Sequence, residues 1–119
     1  MSCVFCNDPR DAGTLLDENE HAWVIRHPAG QTMIVARRHV ENVSDLEESE
    51  WMEVARTWHR AERSMRQVAG DPSTALGMTR DERVIVLKLG VATPHLHIHL
   101  HPFDKTATRE EIFLTLASR

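Results

Sequence analysis

The sequence predicts an α+β protein in which an antiparallel β-sheet packs against one long helix and a short C-terminal helix follows. Three observations support this prediction. Short apolar runs of strand length lie on both sides of one long stretch with helical periodicity. Turn-forming residues separate these runs, and a capping-box spacing lies near the C-terminus. Since 119 residues is the size of one ordinary domain, we expect 1–119 to fold as a single domain.

The first third of the chain predicts a loop and three short strands. Residues 1–13 contain turn-forming residues and predict a loop. Apolar and β-branched runs predict strands over 14–16, 21–26 and 31–36, with a turn over 17–20 and a break at 27–30.

A long helix is predicted next. Ser44 and Glu47 have capping-box spacing, in which each side chain satisfies a free backbone donor of the other residue. One apolar face at helical spacing comprises Trp51, Val54, Ala55, Trp58, Ala61, Met65 and Val68, and Gly70 is a helix stop. We interpret the two tryptophans on this face as core residues rather than as a platform for stacking bases.

The remaining third predicts two strands and a helix. Residues 71–81 predict a loop, 84–89 a buried strand, 90–94 a turn and 95–101 a second strand. Thr108 and Glu111 have capping-box spacing and open a short helix that reaches Leu116.

The composition restricts the partners and the compartment. The net charge of −4 argues against binding to a nucleic-acid polymer, which needs a basic surface. No apolar stretch has the length of a membrane span, and the N-terminus does not resemble a signal peptide, so we expect a cytoplasmic protein that does not enter membranes. In that compartment Cys3 and Cys6 are expected to be thiols or metal ligands rather than a disulfide.

Histidines alternate with aliphatic residues from His95 to His101. In a strand, this period of two places all the imidazoles on one face, looking into a cleft, and the aliphatic side chains on the other face, against the core. A neutral imidazole is a nucleophile near neutral pH, and neighbouring imidazoles can hold a phosphate group. The same row could instead ligate a divalent metal, or be a solvated face that is merely rich in histidine.

The N-terminal pair Cys3 and Cys6 is a weak motif when taken alone. It is compatible with two unused thiols, a redox pair or half of a zinc site.

The run His-Leu-His-Ile-His over residues 95–99, between Pro94 and Pro102, resembles the signature of the histidine-triad (HIT) superfamily. The stretch 30–35 with His39 and 45–46, and the opening Cys3-Val-Phe-Cys6, are also similar to segments of this family. Leu89-Gly90 and Pro94-His95 resemble a bacterial branch that includes diadenosine polyphosphate hydrolases. A triad of His97, His99 and His101 is the alternative register, but it would place Pro102 one residue too early.

The resemblance implies a HIT-like fold and specific roles for the triad. His97 would attack the α-phosphorus of a nucleotide derivative and form a covalent nucleotidyl-histidine, which water or a second acceptor then releases. His99 would contact the phosphate and steady its charge, and His95 would orient the site. Thr93 and His101 are further candidates for substrate binding. Substrates in the family include nucleoside phosphoramidates, aminoacyl adenylates and dinucleoside polyphosphates, and no catalytic cofactor is required.

The resemblance also implies a structural zinc site and a homodimer. In a subset of the family, two N-terminal cysteines, the histidine before the long helix and the first triad histidine bind one zinc ion. The matching residues here are Cys3, Cys6, His39 and His95. Such a Cys₂His₂ set would tie the N-terminus to the catalytic strand.

Four positions depart from the family pattern. Val91 replaces a polar residue near the phosphate, and Phe103 replaces an arginine after the proline. Gln31 replaces a common histidine, and Arg26 lies near the place of a ribose contact. His21, His27 and His59 have no partner pattern, and we interpret them as ordinary surface histidines.

Two other functions stay open at this point. The chain could bind a nucleotide with little or no turnover, which the changes at Val91 and Phe103 would favour. It could also be a metal-dependent phosphohydrolase in which His95, His97 and His99 share one ion, although side chains in line on a strand rarely converge on a metal.

Overall fold

The computed structural model describes residues 3–67, 82–88 and 93–117. The described strands are β1 (Thr14–Glu18), β2 (Ala22–Arg26), β3 (Thr32–Ala36), β4 (Glu82–Leu87) and β5 (His97–Asp104). The helices are α1 (Glu48–Gln67) and α2 (Arg109–Ala117), and 3₁₀ turns cover Val4–Cys6, Pro9–Asp11 and Val43–Asp45. The predicted α+β class, with one long helix and a short C-terminal helix, is confirmed.

The described strands form one antiparallel sheet in the order β1-β2-β3-β5-β4. The histidine-rich β5 therefore lies inside the sheet, paired with β3 on one side and β4 on the other. A tight turn joins β2 to β3, closed by backbone hydrogen bonds from His27 N–H to Gln31 O at 2.8 Å and from Gly30 N–H to His27 O at 2.7 Å. Gly30 has φ +100°, a conformation that other residues rarely adopt, so this position favours glycine.

Helix α1 covers one face of the sheet and forms the larger core cluster with it. The buried members are Ala22, Val24, Ile34, Val54, Ala61, Met65, Ile98 and Leu100. Trp51 and Trp58 pack against this cluster with ring centroids 6.4 Å apart, which confirms that they are core residues. Apolar burial of this kind contributes about 25 cal/mol per Å² and is the main source of the sheet–helix association.

The opposite face of the sheet carries a second, smaller cluster. Its buried members are Phe5, Ile25, Met33 and Val35, with Cys3, Ala12 and Trp23 packed beside them. The N-terminal segment, predicted as a plain loop, contains two 3₁₀ turns, and the first of them places Phe5 on this face. The N-terminus and the histidines of β5 therefore share one face of the sheet.

Several predicted boundaries were wrong. Strand β4 begins at Glu82 rather than Val84, and β5 continues to Asp104 rather than ending at His101. The long helix does not begin at a Ser44–Glu47 capping box. Instead, the Asp45 carboxylate accepts from Asn42 N–H at 3.1 Å within a 3₁₀ turn, and extended Leu46 separates that turn from α1. Strand β1 runs on to Glu18, with an irregularity between Leu15 and Asp17.

The start of the histidine strand was also predicted wrongly, since the strand begins at His97 rather than His95. The backbone N–H groups of the two preceding residues do not pair with a neighbouring strand. Leu96 N–H donates to Val40 O at 2.6 Å, and His95 N–H donates to Thr93 O at 2.8 Å. The capping residues of the C-terminal helix are confirmed, because Glu111 N–H donates to Thr108 Oγ1 at 3.2 Å. The predictions for Val68, Gly70, the loop 71–81, Leu89 and the turn residues 90–92, including Val91, lie outside the described residues.

Candidate functional site

Three histidines of β5 form a continuous row of rings on the face opposite α1. The ring centroids of His97 and His99 are 4.9 Å apart, and those of His99 and His101 are 5.8 Å apart in a stacked arrangement. Ile98 and Leu100 point the other way, into the core beneath α1. The predicted alternation is therefore confirmed for these residues, whereas His95 precedes the strand.

The imidazole face is more closed than the sequence suggested. His97 is 8% exposed and His101 is 3% exposed, and His99 is partly exposed. Phe5 accounts for part of this closure, because its ring centroid lies 4.8 Å from that of His97 and 5.8 Å from that of His95. The N-terminal turn thus shields His97, the first ring of the row, from water.

The ring of His97 is fixed by the backbone of its own strand entry. Its Nδ1 lies 2.6 Å from the carbonyl oxygen of His95, and a carbonyl only accepts hydrogen bonds, so Nδ1 carries the proton. The other ring nitrogen, Nε2, then holds an unshared electron pair. No described residue forms a hydrogen bond with this Nε2, which leaves it chemically available.

The ring of His99 is held by a side chain. Its Nδ1 lies 2.9 Å from Oε1 of Gln31, the residue that closes the β2–β3 turn. Burial, with smaller contributions from the charges of His97, His101 and His27, lowers the pKa of His99 to about 4. His99 is therefore neutral at physiological pH.

The ring of His95 is oriented in the opposite sense. Its Nε2 lies 2.5 Å from the carbonyl oxygen of Ala36, so Nε2 carries the proton and Nδ1 holds the lone pair. This Nδ1 points at the N-terminal cysteines, 3.3 Å from Cys3 Sγ and 3.4 Å from Cys6 Sγ. His95 is completely buried, and burial lowers its pKa below the ordinary value.

His39 completes a compact group of four potential metal ligands. Its Nδ1 lies 3.1 Å from Cys6 Sγ and 3.2 Å from His95 Nδ1. The four donor atoms of Cys3, Cys6, His39 and His95 all lie within 4.8 Å of one another. The sequence-predicted ligand set is therefore brought together by the fold.

The donor set and its spacing fit a tetrahedral zinc ion. Zn–N and Zn–S bonds of about 2.0 and 2.3 Å at tetrahedral angles require ligand atoms about 3.3–3.8 Å apart, close to the separations found here. The hydrogen bond from His95 to Ala36 is the kind of outer contact that fixes a metal-binding imidazole. Desolvation and the neighbouring Cys3 raise the pKa of the Cys6 thiol, and a divalent cation would offset this by stabilising the thiolate.

The geometry disfavours a catalytic ion shared by the triad. His95 turns to the cysteines, while His97 and His99 each use Nδ1 in a hydrogen bond. Within residues 3–67, 82–88 and 93–117, the group of Cys3, Cys6, His39 and His95 is the one set with metal-ligand spacing.

The remaining predicted positions differ in their relation to the row. His101 stacks on His99 and is buried, with Phe103 beside it at 6.3 Å. Thr93 is partly buried and precedes His95 in a turn. Arg26 pairs with Thr32, whose side chain faces the α1 side, so Arg26 lies on the face away from the row.

Two neighbours of the row were missed as such from the sequence. Gln31 was noted as a departure, but its contact with His99 was not anticipated. His27 was interpreted as an ordinary surface histidine, yet its charge acts on His99 across the site. The period of two offered a signal for both residues. His27 lies two positions after Ile25, and Gln31 lies two positions before Met33, and Ile25 and Met33 belong to the cluster on this face of the sheet.

Comparison with known proteins identifies the family. The HIT domain matches residues 17–106, most of the chain. The chain belongs to the HIT domain family. No curated protein sequence matches it significantly.

Solved HIT structures resemble the whole fold. A HIT family hydrolase from Clostridium thermocellum is 26% identical, with 90% of this chain and 95% of that chain covered and a TM-score of 0.56. A histidine triad nucleotide-binding protein from Candida albicans is 14% identical, covering 98% of this chain and 93% of that chain at a TM-score of 0.63. A HIT family hydrolase from Legionella pneumophila is 18% identical, covering 83% and 90% at a TM-score of 0.54. The last two show the fold alone.

Among the described residues, no helix is suited to crossing a membrane. Neither α1 nor α2 combines the length and the apolar character that a bilayer span requires.

Proposed function

We propose that this HIT protein is a nucleotide-phosphate hydrolase or nucleotidyltransferase that acts through a covalent nucleotidyl intermediate on His97. The observation that carries the proposal is the hydrogen bond from His97 Nδ1–H to the His95 carbonyl at 2.6 Å. It holds the ring in the one tautomer that presents a nucleophilic Nε2. The hydrolase name of the Clostridium thermocellum relative also supports a hydrolytic reaction.

In the first step, the lone pair of His97 Nε2 attacks the α-phosphorus of the bound nucleotide derivative. A bond from nitrogen to phosphorus forms as the bond to the leaving group breaks, and the leaving group departs with that electron pair. The ring becomes cationic, and the carbonyl of His95 stabilises it by accepting the Nδ1 proton in a charge-assisted hydrogen bond. The low exposure of His97 strengthens this interaction.

In the second step, a water oxygen or another acceptor attacks the same phosphorus. The bond to His97 breaks, and its electron pair returns to Nε2. When water is the acceptor, it supplies one hydrogen to the leaving group and a hydroxyl to the nucleotide over the whole cycle. His99 lies beside His97 and faces the reacting group, while Thr93 and His101 are proposed to bind other parts of the substrate.

We also propose that Cys3, Cys6, His39 and His95 bind a structural zinc ion. Four ligands are the number that a tetrahedral structural zinc site takes, so zinc would supply a fixed cross-link between the N-terminal turn and the segments that flank α1 and β5. The zinc site does not involve His97 Nε2. The backbone carbonyl that orients His97 belongs to His95, so the metal site and the nucleophile are adjacent in structure but separate in chemistry.

Three further expectations rest on the family resemblance. We propose that the protein forms a homodimer, acts on small nucleotide derivatives in the cytoplasm, and is similar to the diadenosine polyphosphate hydrolase branch. Sedimentation and a substrate panel test the first and the last.

The decisive experiment uses His97→Asn and an exposed control, His59→Asn. We expect wild type and His59→Asn to release nucleoside monophosphate from adenosine 5′-phosphoramidate, an adenylate or a dinucleoside polyphosphate. The rate for His97→Asn should fall by roughly 10³-fold or more, because asparagine provides no nucleophile. Intact mass spectrometry should detect a nucleotidyl adduct in wild type during rapid mixing.

Each outcome separates the candidates. Turnover that survives in His97→Asn would contradict the assigned nucleophile. Tight nucleotide binding by wild type without any release of product would favour the binding-protein alternative. The low exposure of His97 is the observation that motivates testing this alternative. Zinc content of the purified protein tests the metal proposal separately.

A further inference from the structure

Gln31 occupies a defined position next to the histidine row. It closes the β2–β3 turn, where its backbone oxygen accepts from His27 N–H at 2.8 Å. The next residue, Thr32, is buried on the α1 side of the sheet. Since successive side chains alternate, the side chain of Gln31 lies on the triad side, and its Oε1 reaches His99 Nδ1 at 2.9 Å.

The chemistry of this contact determines the tautomer of His99. An amide oxygen accepts hydrogen bonds and cannot donate them, so Nδ1 must carry the hydrogen. The unprotonated Nε2 is then the atom that His99 presents on its other side. Among described residues, Gln31 is the sole hydrogen-bond partner of this ring.

The other neighbours of His99 cannot perform this task. His97 meets it edge to face, and His101 stacks on it with an interplanar angle of 10°. These contacts restrict the tilt of the ring but leave the choice of tautomer open.

We propose that Gln31 is a positioning residue that fixes His99 as a hydrogen-bond acceptor toward the substrate. The inference rests on the proposed function, in which His99 faces the reacting group. It differs from the role implied by the family resemblance, in which His99 steadies phosphate charge. A neutral ring with an unshared pair at Nε2 repels a bare phosphoryl oxygen and attracts an N–H or O–H group.

This polarity specifies the substrate group that lies opposite His99. The nitrogen of a phosphoramidate takes up a proton that comes from water before the phosphorus–nitrogen bond breaks, so that it departs as a neutral amine. An N–H of this protonated nitrogen can donate to Nε2, which stabilises the form that leaves. The bridging oxygen of a phosphoric anhydride carries no hydrogen and cannot. We therefore infer that the site prefers phosphoramidates to dinucleoside polyphosphates, and that Gln31 sets part of this preference.

The first test reads the tautomer directly, without any substrate. Two-bond ¹H–¹⁵N correlation spectra of the whole protein distinguish a protonated ring nitrogen from an unprotonated one, and His99→Asn assigns the signals. We expect Nδ1 of His99 to be protonated in wild type and in Gln31→Glu, because a carboxylate also accepts from Nδ1. In Gln31→Ala this preference should be lost, and Gln67→Ala, at the end of α1, should match wild type.

The second test measures turnover of adenosine 5′-phosphoramidate and diadenosine tetraphosphate. In Gln31→Ala, kcat/KM for the phosphoramidate should fall about 10-fold or more, the usual size of effect for a contact that orients a functional imidazole. The effect on the polyphosphate should be smaller. Gln31→Glu should retain the phosphoramidate activity at high pH. The acid limb of its pH–rate profile should shift to higher pH, because a negative charge beside the ring raises the pKa of His99.

Two results would overturn the inference. One is a wild-type His99 protonated at Nε2, and the other is a Gln31→Ala variant whose His99 tautomer is unchanged. The spectra are independent of turnover, so a failure of the proposed reaction is distinguishable. Absence of product from every substrate contradicts the proposed function, while the tautomer of His99 still decides the role of Gln31. The fold should survive these variants, because backbone hydrogen bonds close the turn.

Discussion

Two neighbouring histidines contain the same side chain in opposite tautomers: His95 precedes β5 and forms the metal end of the site, and His97 begins β5 and forms the substrate end. His95 donates from Nε2 to the Ala36 carbonyl and offers Nδ1 to the cysteines. His97 donates from Nδ1 to the His95 carbonyl and offers Nε2 to the open side. The difference shows that the backbone carbonyl paired with each ring determines its tautomer. The Ala36 carbonyl leaves His95 with a free Nδ1 suited to a metal, and the His95 carbonyl leaves His97 with a free Nε2 suited to nucleophilic attack.

The largest effect that would test this division is expected from Cys6→Ser. Serine keeps the size of cysteine but is a poor zinc ligand, so bound zinc should fall from about one equivalent per chain to a small fraction. Loss of the cross-link should cost ~4 kcal/mol or more and lower Tm by roughly 16 °C. Metal analysis and thermal unfolding provide the measurements.

His97→Asn is the matched control for the metal site, and it should keep its zinc. If His97→Asn also lost zinc, or if Cys6→Ser kept its zinc and its Tm, the metal end and the substrate end would not be chemically separate.

Phe5→Ala should have an effect of similar or smaller size, shared by both ends. Phe5 is 5% exposed and contacts the rings of His95 and His97. Truncation of a buried phenylalanine costs about 3 kcal/mol, and it also admits water beside both histidines. Phe5→Leu should recover much of the stability. Denaturant unfolding and turnover are the measurements, and a Phe5→Ala protein as stable as wild type would show that the N-terminal turn does not pack as described.

The smallest expected effect concerns pH and belongs to the substrate end. The pKa of His99 is about 4 in the folded protein, against an ordinary value of 6.5. The unfolded chain therefore binds more protons in this window, and folding stability falls as the pH decreases from about 6.5 towards 4. His99→Asn should reduce this loss, whereas His59→Asn should not. The measurement is the free energy of unfolding in urea at several pH values in this range. If it changed with pH equally in wild type and in His99→Asn, the burial of His99 would be contradicted.

The sequence predicted the architecture better than the fine geometry of the site. Alternation over 96–101 and helical spacing over 51–65 depend only on local periodicity, and both recur in the structure. The start of β5 could not be predicted, because it depends on hydrogen bonds from Leu96 to Val40 and from Ala36 to Leu96, which join distant segments.

The site shows the same limit. The four metal-ligating candidates were found only through the family resemblance, since Cys3 and Cys6 alone form a weak pattern. The contact between Gln31 and His99 joins residues 68 positions apart, and no local rule relates them. Periodicity places a side chain on a face, whereas its hydrogen-bond partner is determined by the pairing of β3 with β5.

The group of Cys3, Cys6, His39 and His95 also joins segments that are far apart along the chain. Cys3 and His95 are 92 positions apart, His39 and His95 are 56 apart, and Cys6 and His39 are 33 apart. A single ion at their centre would close the two long loops 6–39 and 39–95 at once, and the entropy removed from the unfolded chain grows with loop length. Any engineered form that starts beyond residue 6 discards this closure together with the aromatic ring of Phe5 that covers His97, so a shortened chain should keep residues 3–6.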